Sequence, residues 1–188
     1  EMPQSGTGRT ITTTEPKFIP AEAVRLEPEE NVSLKIRMVD CVGYMVPGAM
    51  GHMEDGEARM VSTPWSDERI PFEEAAELGT EKVIKDHSTV GIVVTTDGSI
   101  GTMERGSYEE AEARVIEQLR ELNKPFAVLL NSTHPSSEST REIAAAMERK
   151  YGVPVTRVDC ARATENEING IMTEILGRFP VREVVFGI

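Results

Sequence analysis

The chain has 188 residues, enough for one domain with a sizeable core. Asp and Glu number 32 against 20 Lys and Arg, and the net charge of −12 argues against nucleic acid as the main partner. The hydrophobic fraction is 39% and the aromatic fraction 5%, so the core must be aliphatic, and no apolar run approaches the roughly 18 residues a membrane span needs.

In chain order, Gly6-Thr7-Gly8-Arg9 and Thr12-Thr13-Thr14 read as loop. Residues 17–27 (KFIPAEAVRLE) read as an edge strand, because Pro20 lacks the amide an inner strand would need. Residues 34–40 (LKIRMVD) form an apolar run that ends on Asp40, with Gly43 three places on. Residues 44–70 carry Pro47, Gly48, Gly51, Gly56 and Pro64; they predict a long loop, either functional or disordered. A helix is predicted over 72–85, mildly interrupted by Gly79. A β-branched strand follows over 90–96. The next helix, 107–123, has Ala111, Val115, Leu119 and Leu122 on one stripe, and Ser107 and Glu110 at capping-box spacing. Then come a strand (126–131), a helix (137–151) closed by Gly152, a strand (153–159) and a helix (164–178) opened by Thr164 and Glu167. Near-continuous apolar strands alternating with helices imply an α/β fold: a doubly wound, mostly parallel sheet with helices on both faces. The chain opens on Glu1 and closes on the apolar run 184–188, which reads as a segment of a longer protein.

In such sheets ligands bind outside the carboxyl ends of the strands. Those ends would carry Asp40-Cys41-Val42-Gly43, Thr95-Thr96-Asp97-Gly98-Ser99, Asn131-Ser132-Thr133-His134 and Asp159-Cys160. Asp40-x-x-Gly43 resembles the D-x-x-G element of translation-factor-class P-loop NTPases, whose Asp holds magnesium and whose Gly amide approaches the γ-phosphate; a strand-terminal turn is the plainer reading. The Thr cluster at 12–14, ahead of an edge strand, has the order of a switch-one threonine. Asn131 to His134 stand where N-K-x-D would read guanine. His134 offers no two-oxygen acceptor for guanine's donors, so guanine selectivity is lost and adenine permitted. The alternative is that Asn131 and His134 cap the following helix. His52, in the long loop, could orient water. His87 precedes a strand and reads as structural, Asp97 as a turn residue, and Trp65 as an anchor for the long loop. Cys41 and Cys160 have no metal-ligand spacing and fit a reducing compartment.

The strings TTTEPKFIP, RMVDCVGYMV, STPWSDERIPFEEAAELGTEKVIKDHST, VVTTDGSI and KPFAVLLNSTHP resemble the stage IV sporulation protein A family of endospore-forming Firmicutes. The resemblance implies a P-loop NTPase-like domain over residues 1–180, with 181–188 beginning the next. It implies ATP and Mg²⁺ as cofactors, Asp40 as the metal-holding aspartate, and Thr13 and Thr14 as the paired threonines of a TTEP motif acting in hydrolysis. Gly43, Asn131, Ser132 and His134 would then lie against the nucleotide. It further implies filaments forming the basement layer of the spore coat, with a small amphipathic membrane peptide and other coat proteins as partners. The implied location is the mother-cell cytoplasm, at the outer surface of the forespore. A non-hydrolysing scaffold is the alternative. The family's first strand and its G-x-x-x-x-G-K-[ST] loop are expected upstream of this sequence, so the 188 residues alone are expected to hydrolyse almost no ATP.

Overall fold

A computed structural model describes residues 18–29, 32–49 and 51–177. Its centre is a three-stranded parallel sheet. β8 (Phe126–Asn131) lies between β7 (Gly91–Thr96) and β9 (Val155–Val158). The order follows from burial: five consecutive residues of β8 are buried, as a strand covered on both faces requires. Phe126, Val128 and Leu130 pack on one side with Ile116 and Leu119 of α2 (Glu109–Glu121) and with Ala144, Met147 and Tyr151 of α3 (Glu138–Tyr151). Ala127 and Leu129 face the other side, against Ile171 and Ile175 of α4 (Glu165–Leu176). At the foot of β7, a Cβ on Gly91 would lie 2.8 Å from the end of the Leu119 side chain, so a larger residue there would make that side chain shift.

β1 (Phe18–Glu29) and β2 (Val32–Val39) form a separate antiparallel pair, with Leu26 opposite Leu34 and Phe18 opposite Val39. This corrects the reading of 34–40 as a covered strand of the parallel sheet. Exposed Lys35 and Arg37 alternate with the half-buried Leu34 and Ile36, the pattern of a one-sided antiparallel strand. Among the described residues β2 pairs only with β1, and α4 packs against β1.

The predicted long loop is largely ordered by two small hairpins, which is a second correction. β3 (Met53–Glu54) and β4 (Glu57–Ala58) turn on Asp55 and Gly56, both at positive φ, and β5 (Met60–Thr63) pairs with β6 (Ser66–Pro71). Asp-Gly is the dipeptide this kind of hairpin turn favours. Val61 of β5 then packs on Phe72, Ala75 and Ala76 of α1 (Phe72–Lys82), which is why the segment folds back. Trp65 sits half-buried in the β5–β6 turn, its amide donating to Thr63 Oγ1 at 3.2 Å.

α1 runs on through a wider π turn, Val83–His87. The carbonyls freed at its end are taken up by Lys124, whose Nζ donates to Ile84 O, to Lys85 O at 2.9 Å and to Ser88 O at 2.5 Å. The C-terminal cap of α3 and the N-terminal box of α4 match expectation, and Ser137 adds an N-cap that was not expected. Ser137 Oγ accepts from Thr140 N, Gly152 takes the left-handed C-terminal position, and Thr164 with Glu167 closes a full capping box.

α2 departs from its predicted form. A short 3₁₀ turn, Arg105–Tyr108, precedes it and no side chain caps it, so the Ser107–Glu110 box is not formed. Its buried face is Glu112, Ile116 and Leu119, with Ala111 and Val115 only partly covered. Glu112 is 5% exposed. Its Oε1 accepts from Tyr151 Oη at 2.7 Å and from Arg105 Nη2 at 3.0 Å, and Arg105 Nη2 also lies 2.8 Å from Oε2. Arg105 Nη1 reaches Thr95 Oγ1 at 3.5 Å. One carboxylate thus ties α2 to α3 and to β7.

Removing one member of such a buried pair strands the other's charge. Glu112→Ala should cost about 3–5 kcal/mol in urea unfolding. Glu112→Gln, which still accepts from Tyr151, should cost about 1–3 kcal/mol.

Candidate functional site

Parallel register brings Thr96, Asn131 and Val158 opposite one another. The next residues, Asp97, Ser132 and Asp159, therefore emerge along one edge. Asn131 stitches that edge. Its carbonyl accepts from Asp97 N at 3.4 Å and its Oδ1 from Cys160 N at 3.0 Å. Ser132 N donates to Val158 O at 2.9 Å.

Above this lies a network of hydroxyls around Asp97. Oδ1 accepts from Ser99 N at 2.9 Å and Ser99 Oγ at 2.6 Å, while Oδ2 accepts from Thr140 Oγ1 at 2.8 Å. Ser99 Oγ accepts in turn from Thr133 N at 3.0 Å. Partial burial pushes the Asp97 carboxyl up, but bonds from Ser132, Ser99 and Thr140 outweigh it and hold it down at about 2. Asp97 does form the expected turn, and it also fastens that turn to the first turn of α3.

The residues expected against a nucleotide divide by burial. Ser132 is fully buried; its Oγ accepts from His134 N at 2.9 Å and lies 3.3 Å from Thr140 Oγ1. Its side chain therefore holds the tip from inside. His134 is exposed, with Nδ1 2.9 Å from Thr133 Oγ1. Neither Asn131 nor His134 caps α3, since Ser137 does, which removes the capping alternative.

Asp40 and Gly43 belong to the other sheet. Asp40 is exposed just past the end of β2. Gly43 has φ +81° and open space where a Cβ would stand, so glycine is required by the backbone. Among the described residues no group of three or more His, Cys, Asp or Glu side chains could hold a metal by itself. A lone exposed carboxylate fits a magnesium ion carried mainly by phosphate and water oxygens, and Gly43 leaves room for that approach. Thr13 and Thr14 lie outside the described residues.

Tyr44, directly after Gly43, is buried. Its hydroxyl donates to Gln118 Oε1 at 2.7 Å, and the Arg114 guanidinium lies 4.0 Å from its ring centroid. Burial pushes its pKa up, which keeps the proton on the donating oxygen. Arg114 also grips Glu77 of α1 through both nitrogens, Nη2 to Oε2 at 2.9 Å. Beside this contact a cavity of about 260 Å³ opens between residues 44–48, α1 and α2. His52 lines it, with Nδ1 buried and unpartnered among the described residues. His87 is exposed at the end of the π turn. Both cysteines are free, and burial raises both thiol pKa values.

The sequence reading passed over Thr140, Tyr44 and Arg114. Only a buried polar residue at the third position of α3 and an aromatic beside Gly43 hinted at the first two.

A model of the stage IV sporulation protein A ATPase domain matches residues 1–180. The chain is 54% identical over 184 residues to stage IV sporulation protein A of Clostridioides difficile (strain 630), covering 98% of this chain and 38% of that protein. It is 47% identical over 184 residues to the proteins of that name from Bacillus anthracis and Bacillus subtilis (strain 168), covering 98% of this chain and 37% of each. It thus spans well under half the length of these curated relatives. No solved structure matches. With α/β architecture and a family match over nearly its whole length, the chain belongs to the stage IV sporulation protein A family, its residues 1–180 matching that family's ATPase domain.

Proposed function

We propose that this sequence forms the nucleotide-hydrolysing part of a spore-coat protein, on a P-loop NTPase-like fold that cleaves ATP with Mg²⁺. The observation that carries the reading is the shared polar edge of the parallel sheet, with Asp97, Asn131 and His134 along it, in a chain that also presents Asp40-x-x-Gly43 just past the end of β2. Asp40 holds the magnesium ion, through water or directly. The ion's chemistry is to neutralise charge on the phosphoryl oxygens as the γ-phosphate leaves. The Gly43 amide faces the γ-phosphate, and Thr13 and Thr14 act on the attacking water or sense that phosphate. Asn131 and His134 flank the base, and buried Ser132 holds their loop. His134 supplies no carboxylate for guanine, which removes guanine selectivity and permits ATP.

In the whole protein, hydrolysis would drive polymerisation into filaments that form the basement layer of the coat. That layer would sit in the mother-cell cytoplasm at the outer forespore surface, recruited by a small amphipathic membrane peptide and bound by other coat proteins. A second reading, a non-hydrolysing scaffold, draws on the hairpins β3–β4 and β5–β6, which expose Met53 and Met60 as contact surface.

Asp40→Ala in a full-length protein containing this sequence separates the two. The hydrolytic reading expects phosphate release from ATP to fall by about a hundredfold or more, and filament assembly to fail with it. A wild type that releases no phosphate, with filaments that form undiminished in Asp40→Ala, would favour the scaffold.

The base-side loop rests on the Asp97 clasp, which carries its own pH signature. The folded pKa, about 2, lies below the unfolded value of roughly 3.9. This stabilisation is therefore full above the unfolded value and is lost as pH falls from about 4 toward 2. Urea midpoints of the wild type should drop over that interval, and Asp97→Asn should start lower and flatten the drop. An unchanged slope in the variant would show that the clasp contributes nothing.

A further inference from the structure

The proposed function leaves Tyr44 without a task, although it is the first fully buried residue after Asp40, following Cys41 and Val42, which are half-buried, Val42 against the Val61–Phe72 cluster. Residues 40–43 form no regular structure, and Asp40 is exposed. Tyr44 is 7% exposed and is gripped by two residues of α2. Gln118 of α2 accepts a hydrogen bond from its hydroxyl, and Arg114 of α2 covers its ring. Arg114 is itself fixed by Glu77 of α1. No other residue between Asp40 and the first hairpin is buried among those described.

We propose that Tyr44 is a positioning residue for hydrolysis: the Tyr44–Arg114–Glu77 latch fixes the loop that carries Asp40 and Gly43, so that the Gly43 amide is held ready for the γ-phosphate. The proposal rests on the reading of Asp40 and Gly43 as the phosphate-side loop. Only Cys41, Val42 and Gly43 lie between Asp40 and the latch, a reach of at most about 14 Å. With one end fixed by β2 and the other by Tyr44, the Gly43 amide has little room to wander. Without the latch, one or two more backbone residues must be ordered in the transition state, a loss of about ten- to a hundredfold in rate. The Arg114 contact matters because Tyr44 presents its ring and a planar guanidinium stacks on it, so ring and hydroxyl are separable contributions. A ligand ending at the β-phosphate does not reach Gly43 and should not feel the latch.

The test uses a full-length protein containing this sequence. Steady-state phosphate release gives kcat and KM for ATP, and competition by ADP gives the affinity for the nucleotide without its γ-phosphate. Tyr44→Ala should lower kcat/KM about ten- to a hundredfold while ADP affinity stays within about twofold. Tyr44→Phe, which keeps the ring under Arg114, should recover activity to within about threefold of wild type. Arg114→Ala changes an exposed side chain and should move kcat/KM the same way as Tyr44→Ala but by less, which keeps the test open if Tyr44→Ala does not fold. If Tyr44→Ala folds and hydrolyses like wild type while Asp40→Ala is inactive, the latch is refuted and the Asp40 reading stands. If Asp40→Ala is itself active, that reading falls and the latch with it. A parallel loss of ADP and ATP binding in both latch variants would make Tyr44 a general packing residue and overturn the proposal.

Discussion

One register sets up the polar edge of this molecule: Thr96, Asn131 and Val158 face one another across three parallel strands. β8 is buried on both faces, so it cannot slide by a residue without turning Phe126, Val128 and Leu130 away from their own side of the core. Because the pairing is parallel, the strands also end on the same side. A sheet that must be apolar along its length then delivers its polar residues together, at its carboxyl edge. Asn131 and Ser132 use their backbone and amide groups to join the tips, and Asp97 draws the first turn of α3 onto them. In partial burial these bonds reinforce one another, so the tip loops are rigid before any ligand arrives.

The second functional element is built differently. Asp40 leaves a two-stranded antiparallel hairpin, whose strands have one partner each among the described residues. Its loop gains order from the far side, through Tyr44 against α2 and, by way of Arg114, α1. Below, the buried Glu112 carboxylate binds α2 to α3 and, through Arg105, to β7. α2 is therefore the common wall: its outer face holds the loop after Asp40, and its inner face is fixed to the sheet.

Much of this was legible in sequence, for reasons that can be named. β8 is an unbroken apolar run, and α3 and α4 carry their own boundaries in Gly152, Thr164 and Glu167. The polar strand tips could be named in advance because strand ends are local. What failed was non-local or masked by composition. The alternation of Lys35 and Arg37 with Leu34 and Ile36 marked β2 as one-sided, but the apolar count hid it. The glycines of the long loop hid two hairpins, although Asp55-Gly56 was there to read. Glu112 was left out of the helix stripe because its burial depends on Tyr151, 39 residues away. Asp97 looked like a turn because the partner that makes it a clasp, Thr140, lies 43 residues on. Tyr44 showed only its place beside Gly43, since its partner Gln118 stands 74 residues away.

The central claim is that the edge bearing Asn131 and His134 receives a nucleotide base without a guanine-reading carboxylate, in an enzyme that cleaves ATP. Its most direct test is phosphate release by a full-length protein containing this sequence, with ATP and GTP in parallel at matched concentrations and Mg²⁺ present. The account predicts release from ATP, with kcat/KM for GTP no higher than for ATP. Release from neither nucleotide, or a preference for GTP of about a hundredfold or more, would contradict it, because selectivity of that size needs the paired acceptor that His134 lacks.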